Sequence, residues 1–105
     1  MKKKLTTSGN GWAIYVPQDI LKLLQINPKT DQTIFTVEYK TLKIAKIEEY
    51  DVKHLENPMI RKFAKCGSGV ALYVSNSILK LLGINPEVDE IEYSINNKVL
   101  EIRKA

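Results

Sequence analysis

Basic residues gather immediately ahead of two short Gly-x-Gly motifs, and this arrangement suits the binding of phosphate groups. The clusters are Lys2, Lys3 and Lys4 ahead of Gly9-Asn10-Gly11, and Arg61, Lys62 and Lys65 ahead of Gly67-Ser68-Gly69. Ammonium and guanidinium groups neutralise phosphates, and a basic patch on one face is the electrostatic footprint of a nucleic-acid binder. The formal net charge of +4 agrees with this interpretation. On charge alone, an ordinary solvated lysine face stays open as the alternative.

Both motifs belong to an internal duplication, in which equivalent positions such as Trp12 and Val70 are offset by 58 residues. About 19 of roughly 45 aligned positions are identical in one ungapped register, which is typical of a tandem repeat. The best-matched segments are Ile20-Leu21-Lys22-Leu23-Leu24 with Ile78-Leu79-Lys80-Leu81-Leu82, and Ile26-Asn27-Pro28 with Ile84-Asn85-Pro86. The function is therefore expected in the duplicated parts.

The size of each repeat predicts that the two copies share one core. A unit of about 45 residues rarely buries enough apolar surface to fold alone. We expect residues 1–105 to form a single pseudo-two-fold domain, made of repeat 1 (1–47), a linker (48–60) and repeat 2 (61–105). The linker is acidic, with Glu48, Glu49, Asp51 and Glu56 against Lys53. Under this symmetry we expect the two basic clusters to come together beside the axis.

Composition predicts a cytoplasmic protein. The apolar runs are far too short to cross a bilayer, and the basic segment Met1–Leu5 lacks the apolar stretch of an export signal. Cys66 is the only cysteine, so it cannot form an internal disulfide, which suits a reducing compartment. We expect Cys66 to be a small packing residue.

Each repeat contains a strand followed by a short helix. Residues 12–16 alternate, with Ile14 and Val16 on one face and Tyr15 on the other, as a half-buried strand requires. Pro17 suits the first position of a helix because its φ is fixed, and Asn27-Pro28 ends that helix. In the second repeat we expect Ser75 to cap the helix through its hydroxyl and Gly83 to ease its end.

A hairpin follows each helix. Phe35, Val37 and Tyr39 alternate along its first strand, and Leu42 and Ile44 lie on the return strand. The second repeat has a similar alternation at Ile91, Tyr93 and Ile95, followed by a turn at Asn96-Asn97-Lys98 and a return strand with Leu100 and Ile102. The predicted fold class is mainly β with two short helices (α+β), arranged as a barrel.

Catalytic chemistry is not expected from this sequence. It contains one histidine and one cysteine, without a metal-ligand spacing or a nucleophile motif. The acidic residues that recur in both repeats, Asp31 and Asp89, fall at predicted turns, where capping of the backbone explains them. We therefore expect a non-enzyme that needs no cofactor and no metal.

The order of these elements resembles the AbrB/MazE/SpoVT family of swapped-hairpin DNA-binding domains. The resemblance rests on Gly9 to Pro17, the Leu-rich helix, Ile26-Asn27-Pro28, Asp31 and the terminal hairpin, and it recurs in the second repeat. Members of this family are normally homodimers whose chains interleave into one barrel, so the resemblance implies an intramolecular pseudo-dimer here. Where the MazE-like pattern has an arginine before Ile-Pro, this chain has Tyr15 and Tyr73, which lack the bidentate donor for guanine or phosphate.

The resemblance also implies a set of DNA-contacting residues on the first strand, the Gly turn and the following strand. These are Lys3, Lys4, Thr6, Ser8, Asn10, Trp12 and Tyr15, with Lys62, Lys65, Ser68 and Tyr73 in the second repeat. Lysines would neutralise phosphates, and the polar side chains would bond phosphates or base edges. Trp12 is equally well explained as a packing residue, and the glycines as turn formers.

The function that the resemblance implies is sequence-selective binding of double-stranded DNA by a transcriptional regulator. One form of it is an antitoxin-like autorepressor of a toxin–antitoxin operon, with a toxin or another protein as a further partner and with further oligomerisation open. The alternative is a protein-interaction module that uses the same barrel without DNA. The steepness of the salt dependence of binding separates the two.

Overall fold

The computed structural model describes residues 1–47 and 59–105, and this part of the chain is mainly β with two short helices, as predicted. The elements of the first half are β1 (Lys2–Lys4), β2 (Thr6–Ser8), β3 (Gly11–Val16), α1 (Gln18–Leu24), β4 (Gln32–Glu38) and β5 (Thr41–Lys46). Those of the second half are β6 (Met59–Lys62), β7 (Ala64–Cys66), β8 (Gly69–Val74), α2 (Asn76–Leu82), β9 (Glu90–Asn96) and β10 (Val99–Lys104). Most of the predicted acidic linker, residues 48–58, lies outside the described residues, whereas Met59 and Ile60 belong to β6.

The strands form a six-stranded sheet, in the order β1-β9-β10-β5-β4-β6, and a four-stranded sheet, in the order β2-β3-β8-β7. The first strand of each half pairs with the hairpin of the other half. Lys3 in β1 lies opposite Ile91 in β9, and Arg61 in β6 lies opposite Thr33 in β4. The expectation that the two basic clusters come together beside the axis is therefore wrong: β1 and β6 are the two edge strands of the six-stranded sheet, with four strands between them, because each has paired with the opposite hairpin.

Two central strand pairs have a self-complementary register. In the six-stranded sheet Lys43 lies opposite Glu101, and in the four-stranded sheet Ile14 lies opposite Leu72. In both pairs the residue numbers differ by 58, the offset of the sequence repeat. This is the register that a two-fold axis through both pairs would generate.

The core lies between the two sheets and takes residues from both halves. Leu42, Leu72, Ile91 and Leu100 have no exposed surface at all. Ile14 and Val16 are buried as predicted, since they face this core from β3. Burial of apolar side chains from both halves in one cluster couples the two halves energetically, because neither has a separate core.

The two helices begin and end by different means. Pro17 is the N-cap of α1 (φ −62°, ψ 155°), so the helix begins at Gln18, one residue later than predicted. The Pro17 carbonyl accepts hydrogen bonds from the backbone N–H groups of Ile20 and Leu21. Ser75 caps α2 as predicted, because its Oγ accepts a 3.3 Å bond from the Ile78 backbone N–H. At the C-caps, Gln25 (φ 58°) and Gly83 (φ 71°) are both left-handed, which costs free energy for glutamine and little for glycine. No helix in the described ranges is long and apolar enough to cross a membrane.

The segments after the helices are fixed by the two repeated aspartates, as the sequence predicts. A carboxylate oxygen of Asp31 accepts a 2.8 Å bond from the Asn27 backbone N–H, and Asp89 accepts an equal bond from Asn85. Such charge-assisted bonds hold the turn that leads into each hairpin. Both aspartates therefore serve the backbone.

The hairpin turns consist of Tyr39-Lys40 and Asn97-Lys98, with positive φ at all four residues. Positive φ at both central residues is the two-residue turn that matches the twist of antiparallel strands. The prediction that Tyr39 continues the strand alternation is wrong, because Tyr39 is a turn residue and is 94% exposed. Asn96 is the last residue of β9 instead of part of the turn.

Candidate nucleic-acid interface

The two Gly-x-Gly motifs form tight hairpin turns at opposite edges of the four-stranded sheet. Ser8 pairs with Gly11, and Cys66 pairs with Gly69, so that two residues make each turn. Gly9 and Gly67, the first residues of these turns, both have φ +60°, which favours glycine strongly. The predicted turn-forming role of these two glycines is confirmed.

The second glycine of each motif has a different purpose, which the sequence interpretation missed. A Cβ atom at Gly11 would lie 2.5 Å from Cε1 of Tyr73, and one at Gly69 would lie 2.8 Å from Cε1 of Tyr15. Each tyrosine ring therefore covers the glycine of the other half. The signal available in the sequence was the tyrosine four positions after the second glycine in both repeats.

Tyr15 and Tyr73 lie on the outer face of the four-stranded sheet, opposite the core. Tyr15 pairs across the strands with Ala71, and Tyr73 pairs with Ala13. Both alanines are only 3% exposed, although they face away from the main core. Small residues at these two positions let the sheet carry two large rings on its outer face.

A hollow of about 320 Å³ separates the two edge strands on this outer face. Its described lining includes Thr6 and Thr7 of β2, Lys65 and Ala64 of β7, and Ala13 and Ala71 of the central strands. The face therefore has a symmetrical frame of two turns and two tyrosines, and a hollow between its edges. Such a surface can contact an extended ligand at two equivalent points.

Lys3 joins this face although it belongs to the other sheet. Its Nζ lies 4.5 Å from the centroid of the Tyr15 ring, a distance at which the ring attracts a cation. The backbone carbonyl of Tyr15 also accepts a 2.6 Å hydrogen bond from the Tyr93 hydroxyl. This bond connects β9 of the six-stranded sheet to β3 of the four-stranded sheet, so it fixes the position of Tyr15.

Burial strongly affects the Tyr93 hydroxyl. Tyr93 is 6% exposed, and burial raises the pKa of its hydroxyl well above the ordinary value, with a smaller contribution from nearby Tyr15. The hydroxyl is consequently neutral and a donor throughout the physiological range. Its role is structural, since the hydroxyl donates its hydrogen bond to the Tyr15 carbonyl.

The remaining predicted contact residues divide into exposed and inward-facing groups. Lys4, Asn10, Lys62, Lys65 and Ser68 are exposed. Thr6 is half-buried, and its hydroxyl lies 3.2 Å from the Ala13 carbonyl, to which it donates. Ser8 lies in β2, where its backbone pairs with Gly11.

Trp12 is a different case. It is half-buried and packs against the core cluster, on the same side of β3 as Ile14 and Val16. The structure therefore agrees with the packing interpretation of Trp12 and places its side chain away from the outer face.

Arg61 does not contribute a projecting cation to the second basic cluster. Its guanidinium donates to the carbonyl of Ile60 at 3.1 Å and lies 5.9 Å from the Phe35 ring centroid. The side chain is therefore held against the six-stranded sheet. Lys62 and Lys65 are left as the exposed cations of that cluster.

No protein-family model, no curated protein and no solved structure matches this chain. Within the described ranges, no group of three or more His, Cys, Asp or Glu side chains is placed to hold a metal ion. The functional conclusion therefore rests on the geometry of the outer face and on the charges around it.

Proposed function

We propose that this protein binds double-stranded DNA selectively as a transcriptional regulator, through the outer face of the four-stranded sheet. In this proposal the chain is a swapped-hairpin barrel of the AbrB/MazE/SpoVT type, formed by two fused repeats as an intramolecular pseudo-dimer. Support comes from the strand exchange of β1 and β6 and from the two self-complementary registers. Duplex DNA has its own local two-fold symmetry, which a pseudo-two-fold protein can match.

The single observation that carries the proposal is the reciprocal packing of Tyr15 on Gly69 and of Tyr73 on Gly11. Each turn is held by the ring of the other half, so the distance between the turns is fixed by the fold. Preorganised contact points lose little entropy on binding. Two rigid turns at one spacing are what recognition of two half-sites requires.

Separate roles follow for the exposed side chains. Lys4, Lys62 and Lys65 would neutralise phosphates and set the orientation of the duplex. Asn10 and Ser68, at the turn tips, would bond base edges or phosphates. The tyrosine rings would contact sugars and thymine methyl groups. A regulator of this kind works without catalysis or a cofactor, in the cytoplasm.

A second candidate function is a protein-interaction module, and one observation favours it. Arg61, the arginine of the predicted basic clusters, is turned toward Phe35 instead of outward. Arginine is the side chain best suited to bidentate readout of guanine. A face of tyrosines and lysines without that arginine also suits an acidic protein surface, including that of a toxin.

Fluorescence-anisotropy titration of the full chain against its own upstream DNA and a scrambled duplex tests the proposal. For about five phosphate contacts, the logarithm of the binding constant should fall with the logarithm of salt concentration with a slope of about −4 to −5. Preference for the upstream DNA with such a slope supports the regulator. Absent binding, or binding that salt hardly changes, favours the interaction module.

A further inference from the structure

We infer that the DNA site of this protein has two unequal half-sites, one read mainly through hydrogen bonds and the other held mainly by cationic contacts. This inference rests on the proposed function. It comes from comparing the two edge strands of the outer face, which occupy equivalent places in the fold and carry different chemistry.

The frame of the face is the same in both halves. Both turns contain two residues and begin with a glycine at φ +60°, and both second glycines lie under a tyrosine ring. The backbone therefore presents its two edges at equivalent positions. Any difference between the halves in DNA recognition must come from side chains.

The edge strands differ at successive positions. Thr6 and Thr7 of β2 are replaced by Ala64 and Lys65 in β7. Thr6 and Ala64 lie opposite Ala13 and Ala71 of the outer face, whereas Thr7 and Lys65 lie one residue further along each edge strand, opposite Trp12 and Val70, and all four line the same hollow. The Thr6 hydroxyl donates to the Ala13 carbonyl, so its oxygen is held in place with lone pairs left to accept. The Ala64 side chain has neither a hydrogen-bond donor nor an acceptor. At these two positions β2 is neutral and hydrogen-bonding, whereas β7 carries a cation.

The residues at the tips of the two turns also differ, and again the first half has the greater hydrogen-bonding capacity. Asn10 is exposed and carries a donor and an acceptor on one planar amide, the pair that bonds adenine in a bidentate manner. Ser68, at the equivalent position, is exposed and has a single hydroxyl. Base contacts specify sequence, whereas phosphate contacts position the protein. The half-site contacted by β2 and the turn at Asn10 should therefore tolerate fewer base changes than the other half-site.

The unequal halves give the pseudo-dimer a property that a symmetric homodimer lacks. A homodimer presents identical surfaces, so its best site is a palindrome. This chain presents two surfaces at one fixed spacing, so its best site combines two different half-sites. It would also bind that site in one orientation only, so the bound protein would have a fixed orientation relative to the direction of transcription.

Selection of duplexes from a random library with the full-length chain tests the inference. We expect a consensus with one restricted half, called L, and one permissive half, called R. Three duplexes then give the affinities for L–R, L–L and R–R sites by anisotropy. L–R should bind about tenfold more tightly than either palindrome, because one mismatched base pair alone costs about fivefold or more.

Variants that copy one half onto the other are matched controls. The triple variant Thr6→Ala, Thr7→Lys, Asn10→Ser should prefer R–R, and the triple variant Ala64→Thr, Lys65→Thr, Ser68→Asn should prefer L–L. Every replacement already occurs at the equivalent position of the other half, and circular dichroism checks the fold.

Two results overturn the inference, and they differ in what they say of the proposed function. A palindromic consensus, or equal affinity of the native chain for all three duplexes, overturns the unequal half-sites and leaves DNA binding standing. Failure to bind any duplex in a salt-dependent manner overturns the proposed function and the inference together. The comparison on the native chain holds even if a variant does not fold.

Discussion

The ring of Tyr73 occupies the space that a side chain at Gly11 would need, and Tyr15 does the same at Gly69. These two contacts cross between the halves on the outer face of the four-stranded sheet. They explain why the second glycine of each motif has no side chain, although its backbone conformation would permit one. They also place both tyrosines in the face that we propose binds DNA.

Replacing Gly11 with Ala should destabilise the protein by about 1 kcal/mol, the low end of the cost of overpacking, because the ring in its way belongs to Tyr73, which is 45% exposed and can shift. Urea denaturation measures this change. In a Tyr73→Ala background the same Gly11→Ala replacement should cost little, because the ring is absent. An equal cost in both backgrounds would mean that Gly11 is required for a reason other than Tyr73.

Replacing Tyr93 with Phe should lower the free energy of unfolding by about 1–2 kcal/mol, since it removes the 2.6 Å bond to the Tyr15 carbonyl. Phe35 occupies the equivalent position of the first half, 2% exposed, so the ring itself is compatible with the fold. Tyr39→Phe is the matched control: Tyr39 is 94% exposed and should show no change. An unchanged free energy of unfolding in the Tyr93→Phe variant would contradict the role given to this hydroxyl.

Alkaline pH should destabilise the protein through the same group. The pKa of Tyr93 is raised in the folded state above its value of about 10 in the unfolded chain, so folding favours the neutral hydroxyl. The stability that this provides is complete below about pH 10 and is lost as pH rises beyond it. Thermal unfolding between pH 8 and 11 should therefore show a smaller loss in Tyr93→Phe than in the native chain. Parallel curves for the two proteins would refute this linkage.

Replacing Tyr39 with Asn should stabilise the protein by up to about 1 kcal/mol. Tyr39 has φ 51° in the turn, as Asn97 does in the other hairpin, and asparagine tolerates this conformation better than tyrosine. A rise of the midpoint of thermal unfolding by several degrees is the expected readout. The reciprocal change, Asn97→Tyr, should lower the midpoint. If both changes act in the same direction, turn conformation is not the cause.

Replacing Lys4 and Lys62 together with Ala should weaken binding to every duplex and reduce the salt slope by about 1.8, because two phosphate contacts are lost. The matched control is Lys22→Ala with Lys80→Ala, which removes two exposed charges from the equivalent helices α1 and α2. That control should leave the slope nearly unchanged. An equal effect of both double variants would show that net charge, and not the location of Lys4 and Lys62, governs binding.

Periodicity and boundary residues predicted most of the local structure. The alternation through Ile14 and Val16, the cap at Ser75 and the left-handed end at Gly83 could be read directly, because each depends on neighbours in the chain. Tyr39 was misplaced because a run of alternating residues does not show where a strand yields to its turn. The C-cap at Gln25 gave no signal, since glutamine is not a residue expected at positive φ.

Long-range pairing was the part that the sequence could not predict. Nothing in the residues of β1 specifies that it pairs with β9 of the second half, so the expectation that the two basic clusters meet beside the axis was wrong. The same limit applied to Arg61, whose contact with Phe35 depends on the pairing of β6 with β4. The contact of Tyr73 with Gly11 likewise arises only when β3 and β8 are side by side.

The exchange of first strands also sets the order in which a nascent chain can complete its structure. Lys3 is synthesised 88 residues before its partner Ile91. At roughly 5–20 residues per second, about 4 to 18 seconds separate the two events. The first half must therefore wait with an unpaired strand, and folding can finish only after the second hairpin emerges.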